Sequence, residues 1–114
     1  MKGQSLFRRF GYAVAGLREA IAHESSIRIQ TVAALGVIAI LGLTRAPLIW
    51  WALCLLAAGL VIVAELFNSA LEALADGVHP DLHPKIRIAK DMAAAAVLVA
   101  AITAAIIAAL FLLR

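Results

Sequence analysis

The sequence is short of charge. Only 15% of its 114 residues are Asp, Glu, Lys or Arg, and the stretches 29–44, 46–64 and 92–113 contain none of them. Hydrophobic residues make up 65% of the chain, whereas soluble domains average about 45–50%. This composition excludes an ordinary soluble domain and indicates a protein whose solvent is lipid.

Cysteine and the common catalytic motifs are also scarce. Cys54 is the single cysteine, so no disulfide can form within the chain, and its apolar surroundings predict a packing role. The sequence contains no G-x-x-x-x-G-K-[ST] loop, no dinucleotide-binding glycine pattern and no G-x-S-x-G turn. If the protein transfers phosphate, it is therefore not a P-loop enzyme.

The uncharged stretches predict three membrane-spanning helices, since a spanning helix needs roughly 20 apolar residues. We expect these helices at 29–44, 48–75 and 86–113. The first is short unless the arginines at its ends extend their side chains to the interfaces. The second is longer than the hydrocarbon core, so its last turns are expected to emerge at one membrane surface.

Residues 1–28 are basic and amphipathic, with apolar residues recurring every three or four positions. This pattern predicts a helix that lies in the membrane interface. A signal peptide is the alternative, but glycines and charged residues interrupt the apolar run that it requires. Ser25 or Ser26 is expected to cap the helix that follows.

The basic residues are distributed unevenly between the two sides of the predicted bundle. Residues 1–28 carry five Lys or Arg and the loop 76–90 carries three, while the other side has only Arg45 and Arg114. The positive-inside rule therefore predicts a cytoplasmic N-terminus and an outside C-terminus. The net charge of +3 is explained by this topology and does not indicate a nucleic-acid partner.

Four polar residues share one face of the second predicted span, at spacings of three, four and four: Glu65, Asn68, Glu72 and Asp76. A carboxylate within the membrane is costly and marks a functional site by default. Glu65 is the deepest of them and is a candidate general base. The alternative is a structural hydrogen bond or ion pair inside an oligomer.

Glu72 and Asp76 lie one turn apart and repel each other unless a positive group lies between them. Mg²⁺ suits such a position, since it takes one or two carboxylates together with phosphate oxygens, and Glu24 is a further candidate ligand. Lys90 is a candidate phosphate ligand with Asp91 beside it as an acceptor. The alternative is that these two residues are only an interfacial flank of the third span.

The string AELFNSALEALAD resembles the signature E-x-x-N-[ST]-A-x-E-x-x-x-D of the small bacterial integral-membrane diacylglycerol kinases and their undecaprenol kinase relatives. The resemblance continues upstream through GYAVAGLREAIAHE and downstream through AKDMAAAAVL, so it covers most of the chain. It implies an all-α membrane fold, with one lipid kinase domain over 1–114 that comprises a surface helix and three spans. It also implies a homotrimer in the bacterial inner membrane, where MgATP phosphorylates a lipid hydroxyl at cytoplasmic sites between subunits.

The resemblance further implies roles for individual residues. Glu65 would be the catalytic base, supported by Asn68, while Glu24 and Glu72 would hold Mg²⁺. The residues expected at ATP are Tyr12, Glu24, Glu72, Asp81, Leu82, His83, Lys90 and Asp91. Those expected at the lipid substrate are Arg18, Trp51 and Glu65. The family places an arginine where this chain has Ser5, so the roles of Arg8 and Arg9 stay open, as does that of Asp76.

The residues leave more than one function open. The strings NSA and KDMAAAAVL resemble the diacylglycerol kinases more closely, which implies diacylglycerol as the substrate, whereas the segment Leu82-His83-Pro84 resembles the undecaprenol kinase branch. Acids within the membrane also serve small proton-coupled transporters, and a structural subunit without turnover is a third possibility. The adjacent Lys90 and Asp91 favour a kinase over these two.

Overall fold

A computed structural model describes residue 3, residues 5–78 and residues 83–114. The described residues form four α-helices: α1 (Leu6–His23), α2 (Ser25–Leu43), α3 (Leu48–Val78) and α4 (Pro84–Leu113). Helices α2, α3 and α4 are long and apolar enough to cross a membrane. The predicted all-α fold, with one amphipathic helix before three apolar ones, is confirmed.

The helices are longer at several ends than the sequence predicts. Helix α2 begins four residues before the predicted start, α3 ends three residues after the predicted end, and α4 begins two residues early. Proline at the start of α4 costs no hydrogen bond, because the first amides of a helix have no partner within it.

Helix α1 leaves its apolar side chains largely uncovered by the rest of the chain. Leu6, Phe7 and Phe10 are exposed, and Ala20 is the one residue of this helix that is buried. Ser5 caps its first turn, where the Arg8 amide donates to the Ser5 hydroxyl oxygen at 3.2 Å. An uncovered apolar face beside basic residues fits a helix at a membrane interface.

A corner at Glu24 separates α1 from α2. Glu24 is extended, with φ −115° and ψ 108°, and its amide donates to the Ala20 carbonyl at 2.8 Å. The prediction that Ser25 or Ser26 caps α2 is wrong. The residue at the cap is Glu24, which makes no side-chain capping bond, and both serines lie within the first turn of α2.

Arg28 reaches back across this corner to the end of α1. Its Nη1 donates to the carbonyl oxygens of Ile21 at 2.8 Å and Ala22 at 3.1 Å. The last carbonyls of a helix have no partner within it and carry partial negative charge, so a guanidinium stabilises them. The Arg28 side chain therefore stabilises the angle between α1 and α2.

In the turn between α2 and α3, one residue adopts the left-handed conformation and ends α2. Arg45 has φ 50°, the Ala46 amide donates to the Leu41 carbonyl, and the Arg45 amide donates to the Gly42 carbonyl. These two bonds form a Schellman motif, which satisfies the last carbonyls of the helix. The turn folds α3 back against α2.

Helix α3 packs against both α2 and α4. Leu41, Cys54 and Phe111 form a buried cluster near the α2–α3 turn, with Trp50 and Trp51 packed against it. The ring centroids of Trp50 and Phe111 lie 5.4 Å apart in an edge-to-face contact. Cys54 is buried and free, as the sequence predicts.

Candidate active site

Glu65 ends a row of buried residues on α3. The buried positions of this helix are Cys54, Ala57, Val61 and Glu65, at spacings of three, four and four. Glu65 is only 6% exposed and is the one buried charged residue in the part of the chain that the structure describes. The packed side of α3 thus changes from apolar to acidic one turn after Val61. Burying a carboxylate costs free energy, so its presence here marks a candidate functional site.

Asn68 and Glu72 continue the same side of the helix towards its C-terminal end. The Asn68 side-chain amide donates to Glu72 Oε1 at 3.4 Å, which is a long hydrogen bond. The Asn68 side-chain oxygen is shielded from solvent and has no hydrogen-bond partner among the described residues. Because shielded polar atoms are usually paired, this oxygen is an open acceptor for a donor or a cation.

Asp76, whose role the sequence leaves open, forms an ion pair between two helices. The Lys90 ammonium of α4 lies 3.1 Å from Asp76 Oδ1 on α3. The positive group expected near Glu72 and Asp76 is therefore supplied in part by the protein itself. Asp91, the residue after Lys90, is exposed.

Glu24 lies in a different place, on a groove between α1 and α3. The groove has a volume of about 450 Å³. Small side chains make up more than half of its lining, and the α3 residues that line it are Leu66, Ser69, Ala70 and Ala73. The α3 residues of this groove lie roughly a quarter turn around the helix from Glu65 and Glu72. Within one chain, Glu24 and Glu72 therefore face different directions.

The acidic and amide side chains of this region offer oxygen donors, which Mg²⁺ prefers. No three His, Cys, Asp or Glu side chains come together as ligands within residues 5–78 and 83–114. Mg²⁺ does not need such a cage, since it usually binds one or two carboxylates and completes its shell with water and phosphate oxygens. Glu72 and the open oxygen of Asn68 offer this kind of oxygen donor, so the residues fit Mg²⁺ bound together with a nucleotide.

The other predicted site residues are spread over α1, α3 and α4. Those on α1 are all exposed: Arg8, Arg9, Tyr12 and Arg18. Trp51 is fourteen residues before Glu65 on α3, which is about 21 Å along the helix, so the two are not neighbours. Asp81 and Leu82 lie outside the described residues.

His83 has a local structural role that the sequence analysis missed. It is the N-cap of α4, and its Nδ1 accepts a hydrogen bond from the Lys85 amide at 3.1 Å. The signal is the proline that follows it, since proline is common in the first turn of a helix and the preceding residue is then the cap. The side chain of His83 is thereby held at the start of the helix that carries Lys90.

These features define the class of this protein. It is a helical integral-membrane protein whose longest helix carries a buried carboxylate and a row of polar groups beyond it. Comparison with known families gives a finer result. The sequence model of the family described as prokaryotic diacylglycerol kinase matches residues 11–112, which is nearly the whole chain. The chain therefore belongs to the prokaryotic diacylglycerol kinase family, and it is a lipid kinase. The family resemblance seen in the sequence is confirmed.

Individual relatives agree with this assignment. The diacylglycerol kinase of Helicobacter pylori is 35% identical over 94 residues, covering 82% of this chain and 73% of the relative. That of Escherichia coli is 35% identical over 94 residues, covering 82% and 77%. That of Pseudomonas aeruginosa is 36% identical over 106 residues, covering 86% and 83%.

Proposed function

We propose that this chain phosphorylates diacylglycerol to phosphatidic acid, with ATP as phosphate donor and Mg²⁺ as cofactor. The observation that carries the proposal is the order of groups along α3: a buried carboxylate at Glu65, then Asn68 and Glu72, then the Asp76–Lys90 ion pair. This order extends over about 16 Å of the helix, from the buried Glu65 to the exposed Asp76. The printed names of the relatives support diacylglycerol as the acceptor.

In this proposal Glu65 is the general base. Its carboxylate accepts the proton of the lipid hydroxyl while the hydroxyl oxygen bonds to the γ-phosphorus of ATP, and the bond from that phosphorus to the bridging oxygen breaks to release ADP. Asn68 holds the Glu72 side chain through the bond between them and offers its open oxygen to the same site. Mg²⁺, when bound, supplies neutralising charge on the phosphates.

The remaining predicted residues surround this centre in the proposal. Lys90 binds the phosphates as a point charge, and Asp91 orients it or a neighbouring donor. The other residues proposed at ATP are Tyr12, Asp81, Leu82 and His83, and those proposed at the lipid are Arg18 and Trp51. The basic N-terminal region and the α3–α4 turn are proposed to face the cytoplasm, with the spans in the bacterial inner membrane.

We further propose that the active site is shared between subunits of a homotrimer. Glu24 and Glu72 are both proposed magnesium ligands, yet within one chain they face different directions. Two neighbouring subunits can bring together one carboxylate from each. Pairing across chains therefore reconciles the ligand proposal with the geometry of the single chain.

The test is transfer of the labelled γ-phosphate of ATP to lipids in mixed micelles, with diacylglycerol and undecaprenol compared in parallel, each with and without Mg²⁺. We expect labelled phosphatidic acid only when Mg²⁺ is present, and little labelled undecaprenyl phosphate. Label in undecaprenyl phosphate alone would move the acceptor to the one favoured by Leu82-His83-Pro84. Transfer to neither lipid would contradict the proposed reaction.

A further inference from the structure

The ion pair between Asp76 and Lys90 joins residues that are fourteen positions apart in the chain. Lys90 Nζ lies 3.1 Å from Asp76 Oδ1, with the Lys90 side chain 34% exposed and that of Asp76 60% exposed. The contact therefore ties the C-terminal end of α3 to the second turn of α4. A flexible lysine side chain is fixed in one direction by this contact.

Glu72, one turn before Asp76, is the neighbouring carboxylate on the same face of α3. Residues four apart on a helix are neighbours on its surface, so a lysine that reaches Asp76 is also near Glu72. In the described part of the chain, Glu72 is contacted by the Asn68 amide and by no cationic side chain. Asp76 thus holds the lysine while the carboxylate of Glu72 stays available.

We propose that Asp76 is a positioning residue for the phosphate-binding lysine: it holds the Lys90 ammonium on the α3–α4 face, paired with its own carboxylate instead of that of Glu72, before the nucleotide binds. The inference rests on the proposed function, because it assigns Lys90 to the phosphates of ATP. It adds a purpose for Asp76, which acts through Lys90 and does not itself touch the substrate.

The contribution of the Asp76–Lys90 pair to the stability of the fold is small. Ion pairs between exposed side chains contribute little to stability, because water screens them and ordering two side chains costs entropy. Replacing Asp76 is therefore expected to leave the folded helices intact while releasing Lys90. This separation makes the inference testable by kinetics.

The kinetic experiment compares Asp76→Asn, Asp76→Glu and the wild type. Asp76→Asn keeps the shape and removes the charge, so we expect the KM for ATP to rise by up to about fivefold, the most that the loss of an exposed ion pair supplies, with the KM for the lipid and the thermal unfolding midpoint unchanged. Asp76→Glu keeps the charge and is expected to restore most of the ATP affinity. Glu19→Gln is the matched control, since the Glu19 carboxylate makes an exposed contact of 3.1 Å with the His23 ring on the same helix. A KM for ATP that is unchanged in Asp76→Asn would overturn the inference.

A double-mutant cycle tests whether Asp76 acts through Lys90. We expect Asp76→Asn to have no further effect on the KM for ATP once Lys90→Met is present, because the side chain that it positions is gone. Additive effects of the two substitutions would show an independent role for Asp76 and would overturn the inference.

A second measurement does not depend on activity and separates this inference from the proposed function. The acetylation rate of the Lys90 amine, followed by mass spectrometry of the folded protein in detergent, is expected to rise severalfold in Asp76→Asn, because the Asp76 carboxylate no longer holds the half-buried side chain against α3 and shields its amine from the reagent. An equal rate in both proteins would show that the pair does not form. If the rate rises but no lipid is phosphorylated with ATP, the contact stands and the assignment of Lys90 to the phosphates is wrong.

Discussion

At the scale of single residues, the polar groups of α3 divide by their surroundings. Glu65 is enclosed by the packed side of the helix, while Glu72 and Asp76 are exposed. Asn68 is shielded on its oxygen and bonded through its nitrogen. One helical face thus presents a buried base candidate, an open amide oxygen and two carboxylates with different partners.

Glu65→Gln tests the proposed base. Glutamine keeps the size and hydrogen-bonding capacity of the side chain but cannot accept the proton, so kcat is expected to fall by about 10²- to 10⁴-fold. Lipid phosphorylation under saturating ATP and Mg²⁺ measures the effect, and the unfolding midpoint in detergent checks that the fold is retained. Full turnover by this variant would show that the base lies elsewhere.

Glu72→Gln tests the proposed metal ligand. Loss of one of the few carboxylates that Mg²⁺ requires is expected to raise the Mg²⁺ concentration for half-maximal activity by about tenfold or more. A titration of activity with Mg²⁺ at fixed ATP measures this, with Glu19→Gln on α1 as a carboxylate control. An unchanged midpoint would remove Glu72 from the metal site.

At the scale of elements, the α1–α2 corner decides where Glu24 stands. Glu24 is the only residue between the two helices, and Arg28 fixes the end of α1 from the first turn of α2. One guanidinium nitrogen, Nη1, donates to both carbonyls. Arg28 therefore stabilises the position of the last turn of α1, which lines the groove facing α3.

Arg28→Ala is expected to loosen the last turn of α1. Removal of the two charge-assisted bonds to Ile21 and Ala22 leaves carbonyls without a partner, so amide hydrogen exchange over residues 20–24 is expected to rise by about tenfold. Mass spectrometry of the protein in detergent measures the exchange, and Arg28→Lys is the conservative control with an intermediate rise. Equal protection in Arg28→Ala and wild type would show that the Arg28 hydrogen bonds do not stabilise the end of α1.

The elements also show what the sequence can and cannot predict. Charge-free stretches predict α2, α3 and α4, because lipid permits little else, and the spacing from Glu65 to Asp76 predicts one polar face from helical geometry alone. The pairing of Asp76 with Lys90 depends on how α4 folds back on α3, which no local pattern fixes. The sequence predicts a serine cap because serine is a stronger capping residue than glutamate. Only the backbone shows that Ser25 and Ser26 already lie inside α2, which leaves Glu24 at the cap.

At the scale of the whole molecule, most of each span faces outwards. Helix α2 buries only Ile27 and Leu41, and α4 only Ala100 and Phe111. A cavity of about 220 Å³ opens between the three spans, with almost entirely apolar walls. Lipid can cover this apolar surface, and in the proposed homotrimer a neighbouring subunit covers part of it.

The homotrimer proposal predicts a specific mass. Native mass spectrometry in detergent is expected to show a species of three times the chain mass of 12.0 kDa as the main form. Activity is expected to be lost when the sample is diluted until monomer dominates, since Glu24 and Glu72 would then have no partner subunit. A fully active monomer would contradict both the trimer and the shared site.

The unbroken course of α3 has a consequence for kinetics. Its 31 residues form one helix with no hinge between the depth of Glu65 and the end at Val78. One substrate of the proposed reaction diffuses in two dimensions and the other in three, and a single continuous helix presents groups to both. The relevant concentration of the lipid is then its mole fraction in the bilayer, so inert lipid is a competitor by dilution even when the total amount of substrate is unchanged.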